Sequence, residues 1–464
     1  MTKRRLTSII LIYCCMLFFI IFKMFYYEDE MKGFPDENMH IGYVIYLEQN
    51  PEKIIPDFRN MVQYSQLDTQ GEYQYYKAGS NTINYLGHPP FYYHFMRIAA
   101  DVQEENGIVS VNAWNMRLLN IFMTAISISI LFYICFSRLI RISSSVLPHL
   151  VAAVSSVSVP MLSYVGAGVS NDNMVLLGMT LLLLGVLRYY EEKIGYGTYF
   201  LVGTGFLLSI LAKLTAGEMA VVILFMVVIT DLIRKKGFKI FLNRYFAATV
   251  VFYIIPIIYY LIIYRRYGGF QPSLQVLDYE YYKSTIFYVD ESLRAHYTFG
   301  EYISYYWQNF VYTWVTLYGH NGWINKFISW VGWIGPCMIV VLAVAQVVRR
   351  QIKRNDESCF YLVFLCGCVV TMLTQFVSAY RTFLSVGYTG GYQARYYLCM
   401  IPFFAYCNGQ LWCGDCIENK SKATDQGKRK KMIRAAVIVL TAVFILTMLY
   451  GDFVYYLLHR EFTI

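Results

Sequence analysis

The stretch Phe34-Pro35-Asp36-Glu37-Asn38-Met39-His40 (FPDENMH) follows the first apolar segment of the chain, Leu6 to Phe25, by about ten residues. Two adjacent carboxylates and an imidazole thus stand where the polypeptide leaves a hydrocarbon layer. Pro35 sets the chain direction, and Asp36 and Glu37 suit the first turn of a helix, where carboxylates meet the positive end of the dipole. On such a helix, which predicts Ile41, Val44, Ile45 and Leu47 lying along the membrane, Asp36 and Glu37 share a face with His40. Capping with a surface ion pair, or a reactive acid at the lipid surface, both fit the residues.

The rest of the chain decides which solvent surrounds that stretch. Of 464 residues 57% are hydrophobic and only 15% charged, with a mean hydropathy of +0.42. Apolar blocks of roughly 17 to 23 residues recur, the length that crosses a bilayer core. They fall near 6–25, 116–137, 146–165, 173–189, 197–212, 216–232, 245–264, 327–348, 358–378, 395–412 and 434–456. The pattern predicts an all-α polytopic membrane protein of about eleven transmembrane helices. The first block follows Lys3-Arg4-Arg5 and has no small-residue cleavage site, so it reads as an uncleaved anchor.

The net charge of +9 is a topology signal, not a nucleic-acid footprint. More than half of the 39 basic residues sit in alternate short connections, such as Arg138–Arg141, Arg188–Lys193 and Arg349–Arg354. The positive-inside rule places these in the cytoplasm, with the amino terminus inside and the carboxyl terminus outside. The long connections, 26–115 and 265–326, then lie on the outer face of a single membrane domain spanning 1–464. Eleven cysteines imply no disulfide framework; Cys413-Gly-Asp-Cys416 lacks the second ligand pair of a structural zinc. Tyrosine is abundant, 44 residues, clustered in stretches such as PPFYYHF (89–95) and LDYEYYKSTIFY (277–288). Such rings form interfacial belts, and some, Tyr92 among them, can stack on sugars or line a lipid groove.

Four further features carry chemistry. In NYLGHPPFYYHFMRIAADV (84–102), Phe91, Phe95, Ile98, Ala99 and Val102 form a helical stripe opposite His94, Arg97 and Asp101, predicting an amphipathic interface helix. Its start, Gly87-His88-Pro89-Pro90, offers a close backbone approach and an imidazole to a phosphate, or simply begins the helix. In GAGVSNDNM (166–174), Asp172 either caps a helix or forms a second acid at the bundle lip. Lys213 in LAKLTAG and Arg395 in YQARYYL are outer-side cations, snorkelling to headgroups or binding a lipid phosphate.

These elements, in this order, resemble the GT-C fold membrane glycosyltransferases, which include protein O-mannosyltransferases and lipid A aminoarabinose transferases. PDENMH (35–40) is similar to their acidic motif after the first span, and HPPFYYHF (88–95) to their (K/H)PPLYY element. SNDNM (170–174) resembles the acid-bearing turn before the fourth span, and LAKLTAG (211–217) the lysine element after the fifth. YTWVTLYGHNGW (312–323) and YQARYYLCMIPF (392–403) resemble elements of an uncharacterised bacterial branch.

The resemblance implies a GT-C-like bundle in a bacterial cytoplasmic membrane. It implies hexosyl or pentosyl transfer from a polyprenyl-phosphate-linked donor to an envelope glycan, lipid or protein acceptor on the outer face. Asp36, with Glu37 as neighbour, matches the catalytic acid. His88, Lys213, Arg395, Asp172 and Tyr92 match substrate and phosphate positions. No cofactor is required by the sequence, although Asp36, Glu37, His40 and Asp172 form a candidate set for a divalent metal. Partners implied are the lipid-linked donor and membrane lipids, not nucleic acid. The competing reading is a transporter or flippase for an envelope lipid or glycolipid, which would carry ionisable groups near the bilayer midplane. The catalytic assignment carries one geometric expectation: Asp36 and Asp172 should approach one another across a single outward cavity, with Lys213 or Arg395 on its wall.

Overall fold

The structure, a computed structural model, describes residues 3–30, 34–66, 74–77, 82–143, 145–234, 240–314, 326–353 and 358–413, with a few isolated positions besides. The apolar blocks form the helices α1 (Lys3–Glu30), α4 (Ala113–Ile142), α5 (Leu147–Val157), α6 (Pro160–Ala167), α7 (Asp172–Tyr190), α8 (Tyr196–Ala212) and α9 (Leu214–Ile233). They continue as α10 (Arg244–Thr249), α11 (Val251–Tyr267), α15 (Lys326–Lys353), α16 (Ser358–Val386) and α17 (Ile401–Leu411). The first long connection holds α2 (Glu37–Gln49), α3 (Phe91–Arg97) and strands β1 (Tyr64–Gln66), β2 (Gln74–Lys77), β3 (Val102–Glu105) and β4 (Ile108–Val111). The second holds α12 (Leu274–Leu277), α13 (Tyr279–Lys283) and α14 (Phe299–Tyr312).

Among the described residues, five helices are long and apolar enough to cross a membrane, or six with α5 and α6 taken together. That is fewer than the eleven expected. Several expected spans are short or interrupted: α8 has 17 residues, residues 245–264 divide at Val250, and 394–400 is a 3-10 turn ahead of α17. The span at 434–456 lies outside the described residues.

The expected span 146–165 is bent by 54° between α5 and α6. Pro160 causes the break: it supplies no N–H to the preceding turn and forces Val159 into an extended conformation. The bend leaves helix-end carbonyls without partners in a medium that offers no water. Lys23 of α1, fully buried, donates its Nζ to the Val157 carbonyl at 2.6 Å and meets that need.

Helices α7 and α8 touch backbone to backbone. A Cβ on Gly205 would fall 2.5 Å from the Leu182 nitrogen and 2.7 Å from the Gly178 oxygen. Small residues at such a seam let membrane helices pack by close contact where hydrophobic sorting gives no help. Gly205→Val is expected to lower stability by about 1–3 kcal/mol through overpacking. Thermal unfolding in detergent would measure this, and an unchanged midpoint would contradict the seam.

The first connection is not all helical. Its four strands pair antiparallel in the order β1-β2-β4-β3, a small sheet beside the bundle that the all-α expectation omits. Asn106 (φ 53°) and Gly107 (φ 78°) close the β3–β4 hairpin with the two left-handed residues a type I′ turn requires. The hairpin also ends the interface helix early: α3 stops at Arg97 instead of running to Val102. Tyr92, Tyr93 and Met96 are its buried side, while Ile98 is 79% exposed, so the expected apolar stripe does not face the bundle. Buried tyrosines hide their rings and still bond through their hydroxyls, which an apolar pattern does not register. The two long connections pack on each other, with Ile83, Leu274, Tyr282 and Val386 forming a small shared core.

The ten described cysteines are all free. At one end of the bundle the basic connections gather, Arg138 pairing with Glu191 and Arg349 donating to the Leu411 carbonyl. At the other end the long connections cover the starts of α7 and α9.

Candidate active site

The chain that leaves α1 turns at Asp36, which holds a left-handed conformation (φ 59°, ψ 11°) at the start of α2. No side-chain cap forms there. The two adjacent carboxylates therefore part. Glu37 turns into the bundle, where Arg117 grips it through Nε at 2.9 Å and Nη2 at 2.6 Å. It also accepts the Val169 N–H at 2.8 Å. Arg117 is 1% exposed, donates a third bond to Glu28 at 3.1 Å, and lies over the Phe34 ring. Phe34 in turn fills the space left by Gly168. This clamp fixes the start of α2 against the turn that leads into α7.

Asp36 points the other way, into a cavity of about 180 Å³ that Asp172, Lys213, Arg395, His40, His88, Tyr85 and Tyr396 also line. Asp36 pairs with the Arg395 guanidinium and accepts the Tyr85 hydroxyl at 2.5 Å. Asp172, in the first turn of α7, receives the Lys213 ammonium at 2.6 Å. Lys213 is the one extended residue (φ −157°, ψ 132°) between α8 and α9, and the break swings its side chain out of the helical path. Asn171 secures that break by donating to the Ala212 carbonyl at 2.8 Å. Arg395 is placed by the 3-10 turn 394–400, whose Ala394 N–H donates to Thr313 at 2.9 Å. Tyr396 lies between the cations, its ring 4.3 Å from Lys213 Nζ and 5.8 Å from Arg395 Cζ.

The cavity thus holds two ion pairs of opposite sense, with no net charge. Burial pulls the Lys213 ammonium below its ordinary range, while Asp172 pushes the other way. Burial also holds His40 down to about 4 and His88 down to about 3, so both rings are neutral at pH 7. His88, neutral in this cavity, offers hydrogen bonds. The His40 ring stacks between His88 and Tyr93, and its Nδ1 meets the Tyr93 hydroxyl at 2.9 Å. Two polar atoms, Arg395 Nε and His88 Nδ1, are buried without a hydrogen-bond partner among the described residues. Burial and then the neighbouring Asp36 charge hold the Tyr85 phenol above its ordinary range, which keeps it a donor.

Of the residues singled out in the sequence, Asp36, His88, Lys213, Arg395, Asp172 and His40 meet in this one cavity. Glu37 and Tyr92 do not. Glu37 is spent in the Arg117 clamp, and Tyr92 is fully buried, donating to Asn120 at 3.0 Å. The close backbone approach at Gly87 is made by protein, not ligand: a Cβ there would fall 1.9 Å from the Pro272 carbonyl oxygen. No group of three or more His, Cys, Asp or Glu suited to a metal ion forms among the described residues. The YTWVTLYGHNGW element lies mostly outside them. Tyr85, Asn171, Gln271 and Tyr396 line the cavity without having been picked out beforehand. Asn171 and Tyr396 adjoin Asp172 and Arg395, and Tyr85 stands two residues before GHPP, so proximity in sequence was the only signal for these three.

The helical bundle, with its polar cavity at the helix starts, has a fold that is shared with a known structure. The crystal structure of ArnT from Cupriavidus metallidurans bound to undecaprenyl phosphate superposes with a TM-score of 0.51 at 13% identity, covering 96% of this chain and 76% of that one. Residues 19–404 match the family described as Predicted membrane protein (DUF2142), and the chain belongs to that family. No curated protein matches the sequence.

Proposed function

We propose that the chain is a glycosyltransferase that moves a sugar from a polyprenyl-phosphate-linked donor to an acceptor hydroxyl in the cell envelope. The observation that carries this reading is the meeting of Asp36, Asp172, Lys213 and Arg395 in one cavity. Its support in the fold is the likeness to ArnT, whose crystal structure holds undecaprenyl phosphate. The basic connections lie at the far end of the bundle, so the positive-inside rule sets the cavity at the outer face of a bacterial cytoplasmic membrane, with the amino terminus inside.

In this reading the donor phosphate takes the place of the carboxylates as partner to the cations. Lys213 and Arg395 turn to the phosphate oxygens, and the unpartnered Arg395 Nε provides a further donor. Asp36, released from its guanidinium, becomes a better proton acceptor than it is in the pair. The acceptor oxygen then bonds to the anomeric carbon as its proton passes to Asp36. The bond from that carbon to the phosphate oxygen breaks, and the electron pair leaves with polyprenyl phosphate. Donor binding and base activation are coupled because one cation serves both. Tyr85 holds the second carboxylate oxygen and orients the first. Before the donor binds, Asp172 keeps Lys213 charged in a buried site; neutral His88 donates or accepts at the sugar or phosphate.

Polyprenyl phosphate is expected to raise the unfolding midpoint of the purified chain in a saturable way. Arg395→Gln should weaken that response at least tenfold, the loss of one charge-assisted contact to phosphate. An equal response from the variant would remove Arg395 from the phosphate site.

A further inference from the structure

The basic end of the bundle carries a second cavity, of about 330 Å³, which the proposed reaction does not use. It opens where α4, α7 and α17 end and α16 begins. One wall is aromatic and apolar: Leu187, Tyr190, Phe360, Tyr361 and Tyr406. The other carries Arg138, Arg141 and Lys193, three cations facing a single carboxylate, Glu191.

That carboxylate organises the cations. Arg138, 8% exposed, donates to Glu191 from Nε at 2.8 Å and from Nη2 at 3.1 Å, and Lys193 reaches it at 2.6 Å. Both cations are held at the mouth with positive charge in excess. Arg141 lies nearly one turn further along α4, exposed, with no hydrogen-bond or ion-pair partner among the described residues. Beside it Ile142, 44% exposed, faces outward.

We infer that this cavity binds the phosphate of an anionic phospholipid in the leaflet at the basic end. Arg141 and Lys193 meet the phosphate, and Ile142, exposed beside Arg141, takes the first acyl carbons. Basic pockets between membrane helices recognise anionic headgroups in this manner. A free phosphate ion shares the cationic contacts but gains nothing from the exposed Ile142, which favours the lipid. The inference is independent of the reaction proposed at the other end.

The test is thermal unfolding of the delipidated full chain in detergent, titrated with phosphatidylglycerol, phosphatidylcholine or inorganic phosphate. Phosphatidylglycerol is expected to raise the midpoint to saturation, and the other two to leave it unchanged. Arg141→Gln, at an exposed position, should need about fivefold more phosphatidylglycerol, the effect of one cation near an anionic headgroup. Arg395→Gln should leave that titration unaltered, because its cavity is at the other end. The inference is overturned by identical titrations of wild type and Arg141→Gln, or by loss of the response in Arg395→Gln alone. A matching rise with inorganic phosphate would assign the cations to a free anion and overturn the lipid.

Discussion

Asp36→Asn is expected to slow sugar transfer by about 10²- to 10⁴-fold, the range for removal of a positioned general base. Asparagine keeps the shape of the side chain and still accepts the Tyr85 hydroxyl through its amide oxygen. It removes the charge that takes the proton. The Arg395 guanidinium loses its direct anionic partner, yet Asp172 lines the same cavity, so the buried positive charge keeps some compensation. Folding should therefore survive, and the response to polyprenyl phosphate should hold or strengthen, because the phosphate no longer competes with a carboxylate for Arg395. A variant that binds donor and transfers sugar within tenfold of wild type would exclude Asp36 as the base.

Glu37→Leu is expected to cost about 3–5 kcal/mol of stability, although Glu37 lies one residue from the proposed base. The carboxylate receives two bonds from a guanidinium that is 1% exposed and one from the Val169 backbone. Removing it takes two charge-assisted bonds from a guanidinium that is buried, while the bond to Glu28 stays. The double variant Glu37→Leu/Arg117→Leu should recover part of the loss, because the uncompensated cation goes with its partner. Denaturant unfolding in detergent measures both. A single variant within 1 kcal/mol of wild type, or a double variant worse than the sum of the singles, would contradict the clamp.

The opposite duties of these neighbours explain what was and was not legible in the chain. Asp172, Lys213 and Arg395 could be found because each stands at the boundary of an apolar run, where a buried charge needs a reason. Asp36 could be found for the same reason, but its separation from Glu37 could not. The partition rests on a left-handed backbone at Asp36, which an Asp permits without announcing it. The 54° bend was legible in Pro160, and its partner Lys23 was not, since a lysine near the end of a span also suits snorkelling. The β3–β4 hairpin was written in Asn106-Gly107, the dipeptide of a type I′ turn. The apolar stripe from Phe91 to Val102 masked it by extending a helix through the hairpin's first residue.

The cavity, not any one acid, is the central claim, and the fate of the donor's sugar tests it most directly. Membranes bearing the chain would be given a polyprenyl-phosphate donor labelled in both the sugar and the lipid phosphate. The sugar label is expected to leave the lipid for an envelope acceptor while the phosphate label stays on polyprenyl phosphate. Movement of the intact doubly labelled lipid across the bilayer, with no separation of the labels, would contradict it and mark the chain as a transporter.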